Sequence, residues 1–256
     1  MKEIKLNLIQ SPLCYSVTVE KEILSKFHLY VKNVERYRNI VIIYDSNIET
    51  EFLSKLIQSI SDLKIIHNLM PIDLSSSSKS FDLYMDIINN LIELNCSRDT
   101  LLVAFGGGSI GDTVGFVSST YLRGIDYINI PTTLLSMIDS SIGGKTGLDF
   151  EQGKNLIGSF YHPQSVLIDL ALLESLDKRE FNSGLFEAIK YGLIQDKKLF
   201  SFINDNIYKM SENSFLEELV YWCCSIKINI VKKDEKDIKE RMKLNFGHTI
   251  GHAIES

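Results

Sequence analysis

Leu101-Leu102-Val103-Ala104-Phe105-Gly106-Gly107-Gly108-Ser109-Ile110-Gly111-Asp112 is the stretch that decides the fold of this 256-residue chain. The apolar run Leu101 to Ala104 reads as a buried strand feeding directly into glycines. Gly106, Gly108 and Gly111 fit G-x-G-x-x-G, whose glycines sit where a strand turns tightly into a helix beneath a pyrophosphate. A plain glycine turn after a core strand fits the same letters. Two further clusters, Gly143-Gly144-Lys145-Thr146-Gly147 and Gly153-Lys154-Asn155, favour the phosphate reading. Loops that cradle phosphate need both bare backbone and cations. Ile130-Pro131-Thr132-Thr133-Leu134-Leu135 and Asp139-Ser140-Ser141 lie between them.

Upstream, Ile4, Leu6 and Leu8, then Tyr15, Val17 and Val19, alternate with polar residues and predict two short strands paired as a hairpin. Ile23, Leu24, Phe27 and Val31 follow a helical pattern, and Asn39 to Tyr44 is a strand ending at Asp45-Ser46-Asn47. Asp45 is either a ribose ligand beyond a strand end or the cap of the next helix. Lys64 to Leu69 reads as a strand, Ser75 to Ser78 as a loop and N-cap, and Ser80 to Asn95 as a helix. Phe81, Tyr84, Met85, Ile88 and Leu91 form its core-facing stripe. Downstream, Asp126 to Ile130 is a strand and Ser165 to Ile168 an edge element. Strands alternating with helices predict a parallel sheet with right-handed crossovers. From Leu170 helical patterns take over, at Phe181 to Leu193 and Phe215 to Lys233. The expected organisation is an α/β Rossmann-like nucleotide-binding domain over 1–169 and an all-helical metal and substrate domain over 170–256. The last residues, His252-Ala253-Ile254-Glu255-Ser256, lie in a helical pattern with no C-cap signal, so a fragment or truncated domain is expected.

Hydrophobic residues at 45% and charged residues at 23% are those of a soluble globular protein. A formal charge of -6, with Lys and Arg dispersed, argues against a nucleic-acid surface. No apolar run approaches the roughly 20 residues of a membrane span, and Met1-Lys2-Glu3-Ile4-Lys5 opens no secretory signal. A cytoplasmic location is expected. Cys14, Cys96, Cys223 and Cys224 form no C-x-x-C and read as free core thiols.

His248 and His252 stand four apart, on one face of any helix. They suit half of a zinc site with Glu187, and equally a structural pair. Glu187 lies in an apolar helical face, where a carboxylate needs a cation or metal. Lys190, Lys227 and Arg241 suit an anionic substrate, or else are solvated helix faces.

The glycine segments, with Tyr121-Leu122-Arg123-Gly124, Pro131-Thr132-Thr133-Leu134-Leu135, Glu187-Ala188-Ile189-Lys190-Tyr191-Gly192 and Asn245-Phe246-Gly247-His248-Thr249-Ile250-Gly251-His252, resemble the 3-dehydroquinate synthase family in order and spacing. The resemblance runs from about residue 40 to the last residue. It implies an NAD- and divalent-metal-dependent (zinc or cobalt) carbon–oxygen lyase of the shikimate pathway, usually a homodimer. Such an enzyme cyclises the sugar phosphate 3-deoxy-D-arabino-heptulosonate 7-phosphate to 3-dehydroquinate with loss of phosphate. By motif, Glu187 and His248 match metal ligands, and His252 matches a phosphate-contacting, proton-transferring group. Lys145, Asn155, Asn245 and Arg123 match the phosphate pocket, with Arg123 lent by a neighbouring subunit. Asp139, Lys190, Lys227 and Arg241 match groups that hold hydroxyls and carboxylate. Gly107, Gly108, Asp112, Thr132, Thr133, Lys154, Lys145 and Lys79 match NAD contacts, with Asp45 and Asn47 at the adenosine ribose.

Two departures stand out. Lys79 lacks the acidic neighbour the family carries before it, the serine tract standing in its place. The family's third metal histidine and a later lysine fall beyond Ser256, so weak metal binding and little turnover are expected of these residues alone. Rival readings are a cyclase of the 2-deoxy-scyllo-inosose or valiolone type, an inactive NAD-binding remnant, and a metal-dependent alcohol dehydrogenase.

Overall fold

The computed structural model describes residues 14–74, 79–150, 153–210 and 212–247. Six parallel strands form the main sheet, in the order β1-β8-β5-β4-β2-β3. They are β1 (Ser16–Glu20), β2 (Asn39–Asp45), β3 (Ile66–Ile72), β4 (Thr100–Gly106), β5 (Tyr127–Pro131) and β8 (Ser165–Asp169). Alternation along β2 and β4 explains why both faces are covered. Ile40, Ile42, Leu101, Val103 and Phe105 join one core, while Val41, Ile43, Leu102 and Ala104 join the other. Helices α2 (Phe81–Glu93) and α3 (Gly108–Thr120) cover the second face. Helix α1 (Thr50–Ser61) packs on the first, where the same core continues into α4 (Lys178–Ile194), α5 (Lys197–Asn206) and α6 (Asn213–Lys233).

Several expectations need correction. The strand expected over 4–8 lies outside the described residues, as does the serine tract 75–78. Its neighbour forms as β1, paired in parallel with β8 (Ser16 opposite Ser165), which makes β8 an interior strand rather than an edge. Residues 23–29 form a 3₁₀ helix. β3 begins at Ile66 and continues through Pro71, which an outer strand tolerates because its N–H side needs no partner. Ser80 is the cap of α2, accepting the Leu83 N–H at 3.2 Å. The buried face of α2 is Leu83, Ile87 and Leu91, whereas Phe81 and Met85 are exposed. Helix α5 carried no strong signal of its own. Cys14 is exposed, while the other three cysteines are free and buried. The Gly–Lys clusters, expected as loops, are strands β6 (Lys145–Phe150) and β7 (Gly153–Phe160) of an antiparallel ribbon.

Asp169, 1% exposed at the end of β8, fastens the sheet to its flanking turns. Its carboxylate accepts the N–H groups of Glu22 at 2.8 Å, Leu24 at 3.2 Å and Ala171 at 3.0 Å. Burial pushes its pKa up, and those N–H groups oppose the rise. Asp169→Ala orphans three donors and is expected to cost roughly 2–4 kcal/mol. Urea denaturation checks this, and a loss below about 1 kcal/mol would show that water replaces the carboxylate.

Candidate active site

The chain leaves β2 for β3 on one side and β4 for β5 on the other, so the carboxyl ends of β2 and β4 flank a topological switch point. Ligands of parallel α/β sheets bind in such a crevice. A cavity of about 690 Å³ opens there, within the usual range for a small-molecule site. Gly107 caps α3 with extended backbone and no side-chain acceptor, which leaves the first helical N–H groups pointing toward the cavity. A Cβ on Gly108 would come within 3.1 Å of Ser140 Oγ, and one on Gly107 within 3.3 Å of Thr133 Cγ2, so bare backbone keeps this wall open.

Asp45, Asn47, Lys79, Gly107, Gly108, Asp112, Thr132 and Thr133 all line this cavity. Asp45 is not a helix cap. It accepts the Asn47 N–H at 2.9 Å in a tight turn, and Glu49 stands at the start of α1. Lys79 does have acidic partners: Asp112 at 2.8 Å and, farther off, Asp149 at 3.8 Å. Burial raises the Asp112 pKa against the pull of Lys79. The opposite wall comes from Leu172, Leu176, Asp177 and Glu180, which sequence reasoning missed. The one available signal was Asp177, the N-cap of α4, which accepts the Arg179 N–H at 2.7 Å.

Lys145, Lys154 and Asn155 stand on the ribbon rather than in the cavity lining. Asn155 is tied to the cavity wall all the same. Its Oδ1 accepts from Lys79, and its N–H, at φ 58°, donates to Asp149 Oδ1 at 2.9 Å. Arg123 is exposed on a turn with φ 67°, and Asn245 is exposed at the end of a 3₁₀ turn.

A second cluster lies where α4 and α6 meet the turn Ser136–Ser140. Gly184 lets α4 approach that turn, because a Cβ there would sit 2.6 Å from the Leu135 nitrogen. Asp139 pairs with Lys227 and accepts the Tyr191 hydroxyl at 2.5 Å. Burial pushes the Asp139 carboxyl up, but the Lys227 ammonium outweighs it and holds the pKa at about 2. Burial in turn pulls Lys227 down. Glu187, 8% exposed, lies 2.6 Å from Lys190. Burial and the negative Asp139 raise its pKa. Lys227 is 4% exposed and Arg241 2% exposed, so neither belongs to a solvated helix face. Arg241 donates to Gly143 O at 3.0 Å and Glu235 O at 2.8 Å.

The residues present fit a dinucleotide: bare backbone at a helix N-terminus, a carboxylate at the end of β2, and a cavity between. For a metal, the described residues supply one member of the expected set, Glu187, a hard oxygen ligand whose burial a cation would relieve. Among the described residues no three His, Cys, Asp or Glu groups stand close enough to hold an ion. His248 and His252 lie outside the described residues.

Comparison with known proteins agrees with this picture. Residues 69–183 match the family model described as 3-dehydroquinate synthase N-terminal, and 184–256 match its C-terminal counterpart. The chain is 41% identical over 255 residues to the 3-dehydroquinate synthase of Clostridium kluyveri, covering all of this chain and 70% of that protein. It is 43% identical to the one from Clostridium perfringens, covering 72% of it. Among solved structures, 2-deoxy-scyllo-inosose synthase complexed with carbaglucose-6-phosphate, NAD+ and Co2+ superposes with a TM-score of 0.87 at 27% identity, over 95% of this chain and 68% of that one. A butanol dehydrogenase from Thermotoga maritima, at 12% identity and TM-score 0.68 over 88% of this chain and 64% of that one, shares the fold.

Proposed function

The chain belongs to the 3-dehydroquinate synthase family, and from that premise we propose how its residues serve the cyclisation of 3-deoxy-D-arabino-heptulosonate 7-phosphate to 3-dehydroquinate. The observation that carries the reading is the pairing of two sites on one chain: a glycine-lined cavity at a helix N-terminus, and a buried cation cluster around Asp139. NAD, when bound, supplies a hydride acceptor that oxidises a carbinol and later returns the hydride. A divalent ion, zinc or cobalt, polarises substrate oxygens when bound.

The nucleotide is held by Gly107 and Gly108 backbone, with Asp45 and Asn47 at the ribose and Lys79, Asp112, Thr132 and Thr133 along the wall. Lys154 and Lys145 approach from the ribbon. Glu187 and His248 are two of the three ligands for the ion. Asp139 is kept ionised by Lys227, so it accepts from a substrate hydroxyl at neutral pH. Lys190, Lys227 and Arg241 hold the carboxylate in a pocket where burial has removed competing water, and a desolvated cation binds an anion more strongly. Lys145, Asn155 and Asn245 meet the phosphate, and His252 shuttles a proton beside it. Arg123, exposed on its turn, reaches the phosphate of a second copy, which makes the working unit a homodimer. Residues 1–169 form the nucleotide-binding part and 170–256 the metal and substrate part of a cytoplasmic enzyme. Among the described residues no helix is long and apolar enough to cross a membrane.

Phosphate release from the heptulosonate phosphate, with NAD and zinc or cobalt present, tests the assignment. Sedoheptulose 7-phosphate and glucose 6-phosphate are the rival substrates. Whatever turnover these residues support is expected from the heptulosonate phosphate and from neither rival. Turnover of either rival in its place would move the protein to another cyclase activity.

A further inference from the structure

The segment between α6 and the 3₁₀ turn at Glu240–Asn245 lies against the start of β6 and the end of β7. Asp234 pins it, accepting the N–H groups of Ile238 at 3.0 Å, Lys239 at 2.6 Å and Arg241 at 3.1 Å. Lys236 rests over the Phe160 ring, 4.5 Å from its centroid. Glu235 meets His162 Nε2 at 3.1 Å, and Asp237 Oδ2 meets Lys145 Nζ. Gly143 and Gly144, at φ 102° and 66°, form the turn that delivers Lys145 there.

Three features of Asp237 set it apart. Its backbone sits at φ 57°, in the left-handed region. Its side chain is 13% exposed, yet Oδ1 is buried with no hydrogen-bond partner among the described residues. Its negative charge also acts on the Arg241 guanidinium. Lys145 itself is 48% exposed, so an anion from solvent reaches the same ammonium. A carboxylate with one oxygen satisfied, one orphaned and a strained backbone makes a poor permanent partner. A phosphate brings more acceptor oxygens and more charge to the same cation.

We infer that Asp237 is a built-in competitor for Lys145, a specificity-determining residue that sets how tightly the site holds the substrate's phosphate. The inference rests on the reading that Lys145 meets that phosphate. An anion that wins Lys145 releases Asp237 from its buried position. Weaker or smaller anions leave the pair closed, so the device filters for a dianionic oxyanion.

Calorimetric titration of inorganic phosphate into the full chain with NAD present tests the inference. If the pair is closed about nine-tenths of the time, Asp237→Asn binds phosphate about tenfold more tightly than the parent. Asp237→Gly, for which the left-handed backbone is no strain, is the second variant and is expected to show the same tightening. Unchanged or weaker phosphate binding in the variants that fold overturns the proposal, since Asp237 would then merely orient Lys145. Glu240→Gln removes the same charge nearby from a residue paired with Lys243. It is expected to change affinity less than about twofold, the size of a screened surface effect. An equal gain in that variant overturns the proposal as well. Lys145→Met is expected to lose most phosphate affinity. If it binds as the parent does, the reading of Lys145 itself is wrong, and the inference falls with it.

Discussion

Lys227→Met will abolish turnover and remove about 2–3 kcal/mol of stability, while Asp139→Asn in the same chain will restore most of the stability and none of the turnover. Lys227 is 4% exposed and its ammonium is paired with Asp139. Methionine keeps the length of the side chain and takes away the charge, stranding a carboxylate whose other partner is the Tyr191 hydroxyl. Breaking a fully buried pair costs about 3–5 kcal/mol. Asp139 keeps 26% of its side chain in contact with solvent, which trims that figure. The pair itself adds less than its depressed carboxyl suggests, because burial also pulls Lys227 down. The double variant leaves no stranded charge, which is why stability returns. The same pair sets an acid limb. Asp139 is held at about 2 against an ordinary 3.8, so its share of stability is complete above the ordinary value and is lost as pH falls through about 2. In Lys227→Met burial is left to raise the Asp139 carboxyl, so that acid limb disappears and protonating the stranded carboxylate recovers part of the lost stability. Urea denaturation across the acid range reads both effects. A single-variant loss under about 1 kcal/mol would mean the pair is an exposed one.

Gly107→Asp separates folding from cofactor affinity. Gly107 is the N-cap of α3, where aspartate is a better cap than glycine by a few tenths of a kcal/mol, and a negative charge suits the helix dipole. The new Cβ would meet Thr133 Cγ2 at 3.3 Å, a side-chain contact able to give slightly. The variant is therefore expected to fold with a melting temperature no lower than the parent's. It also places a carboxylate where the helix N-terminus would receive a pyrophosphate, so NAD affinity should fall about a hundredfold, near 3 kcal/mol. Calorimetry with NAD and thermal denaturation without it measure the two effects. Intact NAD binding would place the nucleotide elsewhere.

Which parts of this arrangement could be read in the letters follows from how local each cause is. The strand Leu101–Ala104 and the glycines after it are governed by neighbours in sequence, and β4 and the turn into α3 formed where expected. The stripe of α2 was misphased because Phe81 and Met85 are as apolar as Leu83 and Ile87. Only packing on β4 and α3 chooses between the two sets. The Gly–Lys clusters look like loops because glycine is poor in strands. Here Gly147 and Gly158 face each other across the ribbon at a separation that admits no Cβ. The ion pairs of Asp237 with Lys145 and of Asp149 with Lys79 were invisible for a related reason. Their partners lie in distant segments, and Asp237, between α6 and the next turn, reads first as a turn former.

One edge strand of the sheet, β1, has a consequence for how the chain is made. β1 finds its partner in β8, with Ser16 opposite Ser165. On a ribosome adding about 5–20 residues per second, β1 emerges many seconds before β8 exists. Through that interval the edge of β1 lacks its ladder, while β2, β3 and β4, which pair with one another, assemble early. Closure of the sheet is thus a late, non-local event, and contacts of that kind slow folding. Nascent chains arrested before residue 165 should be more sensitive to chaperone depletion and proteolysis than chains arrested after 169.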